Sequence, residues 1–304
     1  MNGLINVLKP PGMSSHDVVN KIRQLTGIKK VGHTGTLDPG ATGVLLVCCG
    51  RATRLIEYLD HDKKYRAEIT FGIASSTGDS FGELLEKEIP GGFSKKLVED
   101  TLSRFTGEIS QIPPMTSAVR YQGKKLYQLA RQGKVVERQA RKVTITDLKM
   151  AGWYHDAVNP RALLDIGCSA GTYIRTLCQD IGEEMGCGAY MSFLLRTGVG
   201  GYSIDRSFTL EELKSLAEKG KLCQAVVSIK DALSFFPTVE IKEQALKSVG
   251  SGATLYPPGI KYMPEEIRSG DMVVLAEKEI PVAVARAVAD EKERLCFKPD
   301  KIIL

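Results

Sequence analysis

The sequence predicts a mixed α+β fold in two parts, a large N-terminal domain over residues 1–233 and a small β domain over 234–304. Three observations predict it. Strand-like apolar runs and amphipathic helix patterns are interleaved through the first part. Near Phe236-Pro237 the character changes, and Val273–Leu275, Pro281–Val288 and Arg294–Lys298 recur as short strand-like runs whose regular spacing suits a small β-barrel. The 304 residues are 43% hydrophobic, enough for one large core and a smaller one.

In chain order, Gly3–Leu8 reads as a strand that stops at the rigid turn Lys9-Pro10-Pro11-Gly12. Ser14 stands three residues before Asp17, a capping-box pattern; Val18, Val19, Ile22 and Leu25 supply an apolar helix face, and Gly27 ends it. The stretch Gly32 to Leu46 begins polar and glycine-rich and ends apolar. Asp38 precedes Pro39, which biases it toward extended backbone, and Gly40 and Gly43 permit positive φ or a close approach. Val44–Cys48 then reads as a buried strand. A carboxylate on a rigid loop before a core strand suits catalysis, and equally a tight surface turn in which Asp38 caps its own backbone. Ala52–Leu59 reads as a short helix, and Lys64–Phe71 alternates as a strand with Tyr65 near its start, where packing alone would account for a tyrosine.

Ser94–Phe105 is amphipathic, with Leu97, Val98, Leu102 and Phe105 on one face. A basic segment follows within about residues 111–149. Arg120, Lys124, Lys125, Arg131, Lys134, Arg138, Arg141, Lys142 and Lys149 are set against only Glu137 and Asp147, with Tyr121 and Tyr127 among them. Such a run is either a solvated face or a nucleic-acid contact, and its single sign and aromatic neighbours suit phosphates with nearby bases. Arg161–Ser169 reads as a strand running into a helix, with Thr172 as its cap. Tyr173 and Arg175 stand two apart, so both reach one cleft only from an irregular helix start. Otherwise they are core packing and a surface charge. Thr209 with Glu212 caps one further helix.

Several function classes are disfavoured. The net charge of +5 and pI near 8.7 permit a nucleic-acid partner without demanding one. Seven cysteines, an odd number without a CxxC pair, suggest a reducing cytoplasm, no disulfides and no structural zinc; the four histidines have no metal-ligand spacing. No apolar run approaches a membrane span, the N-terminus is not expected to be a secretory signal, and no GxGxxG or P-loop signals a nucleotide cofactor.

The stretch HTGTLDPGATGVL from His33 to Leu45, with KPPGMSS upstream and GTYIR from Gly171 to Arg175, resembles the motifs of the TruB family, the tRNA pseudouridine-55 synthases. The resemblance covers essentially the whole chain. It implies a catalytic domain with a mixed, largely antiparallel central sheet flanked by helices, and a C-terminal PUA barrel that binds RNA. It implies Asp38 as the catalytic aspartate, Tyr65 stacking on the target base, and Arg175 paired to Asp38 with Tyr173 beside it. Lys9 belongs to a motif packed against the catalytic loop, Leu194 borders the uracil, and His33 fills the place of the extruded base. Ser75–Gly82 resembles the family's following Thr/Asp/Gly loop. Arg196 stands where members usually carry two arginines, with Leu195 replacing the first. The basic insertion, with Lys124, Lys125, Arg131 and Arg141, would grip the tRNA stem-loop.

The implied reaction is isomerisation of uridine 55 in the TΨC loop, with no cofactor or metal. A carboxylate can divide the difficult step by bonding C1′, or can assist elimination to a glycal. Arg175 would keep Asp38 ionised, and Tyr65 offers a proton-transfer group. The expected partner is tRNA alone, for a monomer in the cytoplasm. The competing readings are a non-catalytic RNA-binding or RNA-folding protein and a guide-RNA-dependent relative of the dyskerin kind.

Overall fold

Ten strands of the N-terminal part hydrogen-bond into one sheet in the computed structural model, which describes residues 1–155 and 159–304. In chain order they are β1 (Gly3–Lys9), β2 (Val31–His33), β3 (Thr42–Cys49), β4 (Lys63–Phe71), β5 (Gly107–Gln111), β6 (Arg141–Tyr154), β7 (Arg161–Cys168), β8 (Ala189–Val199), β9 (Tyr202–Ser203) and β10 (Val226–Val227). Across the sheet the order is β10-β1-β3-β8-β4-β7-β6-β5, with β2 added to β3 and β9 to β8. β3 and β8 pair in parallel, and the other described pairs are antiparallel. This is the mixed, largely antiparallel sheet that the resemblance implies.

Burial follows the residue pattern. Val44 to Cys49 is apolar without interruption, and β3 is buried on both faces, as a central strand must be. In β4, Tyr65, Ala67 and Ile69 enter the core while Lys64 and Arg66 face outward. Against that core face lie α2 (Lys95–Ser103) and α4 (Ile174–Glu184); α1 (Ser15–Thr26) and α5 (Leu210–Glu218) cover β1 and β3. The short α3 (Leu126–Ala130) lies in the basic insertion. Ser14 and Asp17 form both bonds of a capping box, Gly27 closes α1 at φ 68°, and Thr209 with Glu212 repeats the box on α5.

Two expectations are corrected. The helix expected over Ala52–Leu59 is a run of 3₁₀ turns, Gly50–Tyr58, entered without a capping side chain at Cys49. Residues 141–149, grouped by charge with the basic insertion, form the first part of β6, where Val143 and Ile145 are buried and alternate with exposed Arg141, Lys142 and Thr144.

The C-terminal part forms its own sheet from β11 (Thr238–Ile241), β12 (Ile260–Tyr262), β13 (Met272–Glu277), β14 (Ile280–Ala289) and β15 (Leu295–Ile302), in the order β12-β11-β13-β14-β15. Leu255 and Phe297 exchange backbone bonds of 2.8 and 2.9 Å. The segment from Leu255 to Tyr262 therefore runs from beside β15 to beside β11, closing the sheet toward a barrel around Val239, Leu275, Ala285 and Phe297.

Candidate active site

Asp38 lies on the loop between β2 and β3, and that loop is tied down residue by residue. The Leu37 amide donates to Ser15 Oγ at 2.8 Å, and the same hydroxyl donates to the Leu37 carbonyl at 3.0 Å. The Pro39 carbonyl accepts from the Gly12 amide at 2.8 Å and from Lys9 Nζ at 3.2 Å. Arg196 donates to the carbonyls of Gly35 at 3.1 Å and Thr36 at 3.4 Å. The Ala41 amide closes a turn on the Asp38 carbonyl at 3.1 Å. The KPPGMSS segment therefore acts as a clamp on the loop. Gly43 is required at its place: φ is +114°, and a Cβ there would stand 2.2 Å from the Arg196 carbonyl oxygen.

The Asp38 carboxylate meets Arg175 at 3.1 Å, from Nε to Oδ2. Arg175 is the second residue of α4 and Tyr173 is its N-cap, with φ −107° and ψ 108°, so both stand at the irregular helix start. Thr172 was the expected cap. Its hydroxyl instead donates to the Ser169 carbonyl at 2.9 Å, closing the preceding turn. Tyr173 is held by Gln111, which accepts from its amide at 3.1 Å and donates to its carbonyl at 3.3 Å. Arg175 also contacts Asp79 at 3.4 Å and donates to the Thr77 carbonyl and to both oxygens of Thr116. Asp79 in turn accepts from Thr77 at 2.6 Å and from the Phe81 amide at 3.0 Å. Gln111, Thr116 and the Arg175 contact of Asp79 went unassigned in the sequence. They are short polar residues in loops or at a strand end, where no spacing rule marks them.

The electrostatics refine the expected role of Arg175. Burial pushes the Asp38 carboxyl above its ordinary value and Asp79 adds to the rise; Arg175 and Lys9 pull it back without cancelling it. Arg175 opposes protonation rather than securing an ordinary carboxylate. Asp38 keeps 38% of its side-chain surface accessible, whereas that of Arg175 is 5% exposed. The carboxylate is therefore the part of the pair that an incoming ligand can touch.

Tyr65 and Leu194 belong to the core cluster that reaches the loop at Leu37 and Ala41. Tyr65 is buried, and desolvation pushes its phenol up to about 12 although the adjacent Arg196 opposes the shift. It is therefore a neutral hydroxyl at pH 7. His33 ends β2; burial and the Arg196 charge push its imidazole down, so it is neutral as well. Lys9 and Arg196, expected among the substrate contacts, both have 0% exposure. Lys9 Nζ donates to the carbonyls of Pro10, Met13 and Pro39, and desolvation lowers its pKa to about 8. These two cations reach the loop from beneath and have no surface for direct contact with a ligand.

The basic insertion starts at the wall of this site, through Gln111 and Thr116. Arg120, Lys124, Arg131, Lys134 and Arg141 are exposed. Lys125 is half-buried and, with Arg131, lies over the Tyr127 ring. Lys142 and Lys149 are already paired, to Glu108 and Asp147, each at 2.7 Å. Arg138 turns inward to donate to the Pro113 carbonyl at 3.0 Å. The charge run therefore divides into outward cations with no acid partner among the described residues and neutralised or inward ones.

Residues 23–174 match the family model described as TruB family pseudouridylate synthase (N terminal domain), 175–234 the tRNA pseudouridylate synthase B C-terminal domain, and 237–296 the PUA domain. The tRNA pseudouridine synthase B of Pelotomaculum thermopropionicum is 50% identical over 305 residues, covering 98% of this chain and 96% of its own. That of Moorella thermoacetica is 42% identical, with 99% of each covered. Among solved structures, a chain of an H/ACA RNP bound to a substrate RNA containing 2'-deoxyuridine superposes with a TM-score of 0.73 at 27% identity. A chain of a Cbf5-Nop10-Gar1 complex gives 0.73 at 28%. Each alignment covers 99% of this chain and 85% of the other.

Proposed function

The chain belongs to the TruB family of pseudouridylate synthases, and on that premise we propose that it isomerises uridine 55 to pseudouridine in the TΨC loop of tRNA. The observation that carries the reading is the Asp38–Arg175 pair, 3.1 Å apart, on a loop whose backbone is bonded on both sides of the aspartate. Glycosidic chemistry requires the target nucleotide to leave its stack. Tyr65 then offers the base a ring face and a neutral hydroxyl, and Leu194 closes the apolar side. The half-exposed Asp38 either bonds C1′ or removes the 2′ proton, and in both cases the electrons of the N1–C1′ bond stay with the base; when C5 bonds C1′, Asp38 is released from C1′ or returns the 2′ proton, the C5 proton leaves and N1 takes one up. No redox change occurs, so the chemistry calls for no cofactor. The outward cations of the insertion would hold phosphates, and the C-terminal module would extend the RNA contact. We propose further that the chain acts alone, as a cytoplasmic monomer: it carries its own basic insertion beside the site, and its seven cysteines without a CxxC pair suit a reducing compartment.

The test is incubation of the purified protein with an unmodified tRNA transcript, followed by mapping of pseudouridine. Modification confined to position 55 is expected, and none with Asp38→Asn. An RNA-binding protein without catalysis would leave the transcript unchanged. A guide-dependent enzyme would act only after guide RNA and partner proteins are added.

A further inference from the structure

Arg196 is a fully buried cation without a counter-ion among the described residues. It stands in β8 directly opposite Tyr65 in β4, one cross-strand pair, and alongside Gly43 in β3. Because Gly43 has no side chain, the two backbones approach closely there. The Arg196 guanidinium donates from Nε to the Val44 carbonyl at 2.7 Å, and its two Nη atoms reach the carbonyls of Gly35 and Thr36. All three acceptors are neutral. Among the described residues no carboxylate oxygen lies within 4.0 Å of it. The Tyr65 phenol belongs to its cross-strand neighbour, and the guanidinium charge pulls against the rise that burial gives the phenol pKa. Holding a charge in such a place is costly unless the charge is needed at some stage of function.

The proposed reaction has such a stage, and the inference rests on that reading. When the N1–C1′ bond breaks, its electron pair stays on N1 and spreads over the ring. At the same time Asp38 loses its charge, to C1′ or to the 2′ proton. Negative charge thus passes from the aspartate to the detached base, whichever route is taken. We propose that Arg196 is a positioning residue of the reaction: its uncompensated guanidinium, acting through the Tyr65 hydroxyl, stabilises the negative charge on the detached base. A hydroxyl backed by a buried cation donates a stronger hydrogen bond, and a preorganised donor at developing charge acts mainly in the transition state. The clamp on Gly35 and Thr36 is a separate, structural duty of the same side chain.

The two duties separate by leaving group. Fluorine at C5 withdraws electron density and stabilises the base anion without help from the protein. The full-length protein is assayed on transcripts carrying uridine or 5-fluorouridine at the target, in single turnover at saturating RNA. Disappearance of the target nucleoside is followed in nuclease digests. Arg196→Gln is expected to slow the uridine reaction by about 100-fold, to slow the 5-fluorouridine reaction distinctly less, and to leave RNA affinity unchanged. Arg196→Lys, which keeps the charge, should restore the ratio of the two rates toward the parent's. An equal deficit on both bases would reduce Arg196 to a loop clamp and overturn the inference. Should Arg196→Gln fail to fold, Tyr65→Phe carries the test, because the charge acts through the hydroxyl; its deficit must again be larger on uridine. Failure of the proposed function looks different: the parent protein itself would convert neither transcript.

Discussion

At the residue scale, Asp38 combines a working position with an unfavourable one. Its carboxyl is raised by burial and by Asp79, so the folded protein binds that proton more tightly than the unfolded chain does. The resulting penalty is fully present above the raised folded value and disappears as pH falls through it toward the ordinary carboxylate range. Asp38→Asn should therefore melt at or above the parent temperature at neutral pH, and the gap should close at about pH 4. Turnover should fall to background at every pH. A lower melting temperature at neutral pH would instead mark Asp38 as a turn residue. Arg175→Met acts in the opposite sense. It leaves Asp38 and Asp79 facing each other, so the acidic limb of the pH–rate profile should move upward. Breaking the buried pair should cost on the order of 3 kcal/mol in denaturant unfolding. RNA affinity should hold, since Arg175 has almost no surface to offer a phosphate; parallel losses of rate and affinity would contradict this. The contact of Asp38 with Arg175 was legible in the sequence because motifs carry both residues. The duties of Lys9 and Arg196 were not, since sequence marks a cation and says nothing of whether it ends in water or under a loop.

At the scale of elements, legibility followed local signals. α1 and α5 were readable to their first residues because Ser14–Asp17 and Thr209–Glu212 are reciprocal caps within four residues of chain. β6 was hidden. Register shifts near Ile145 and Met150 break its alternation, and its exposed face carries the charges that grouped it with the basic insertion. The same element explains why the basic run is not one functional unit, which makes its charges separately testable. Lys124, Arg131 and Arg141 are exposed, and no described acid pairs with them. Neutralising all three should weaken RNA binding and flatten its salt dependence, each lost contact lowering the log–log slope by roughly 0.7–0.9. Neutralising Lys142 and Lys149, already bound to Glu108 and Asp147, should leave the slope nearly unchanged. Titrations at several salt concentrations decide this, and equal effects of the two sets would refute the division.

At the scale of the whole molecule, the two sheets share part of a core. Leu55 and Leu233 from the catalytic side pack with Val274, Val284 and Ile303 from the C-terminal side. Around them Arg54 donates to the carbonyls of Ile302 and Leu304, Tyr58 donates to Asp300 at 2.7 Å, and Lys301 pairs with Glu57. The exposed pairs add little by themselves; the buried apolar side chains make the joint. The 3₁₀ segment carrying Leu55 and Tyr58 follows β3 directly, so the strand that leads out of the Asp38 loop also leads to the second module. Chains of two modules usually unfold in separate steps, but this joint should fuse them, and calorimetry should record a single transition. Ile303→Asp buries an unpaired charge in that joint and should split the transition, the C-terminal module melting first. With the module released, RNA affinity should fall because one contact surface no longer has a fixed place. The single-turnover rate at saturating RNA should hold, because no residue around Asp38 has moved. A single transition persisting in Ile303→Asp would show that the modules are coupled elsewhere. A lost saturating rate in a protein still folded around Asp38 would show that the second module acts on the chemistry and not only on the grip.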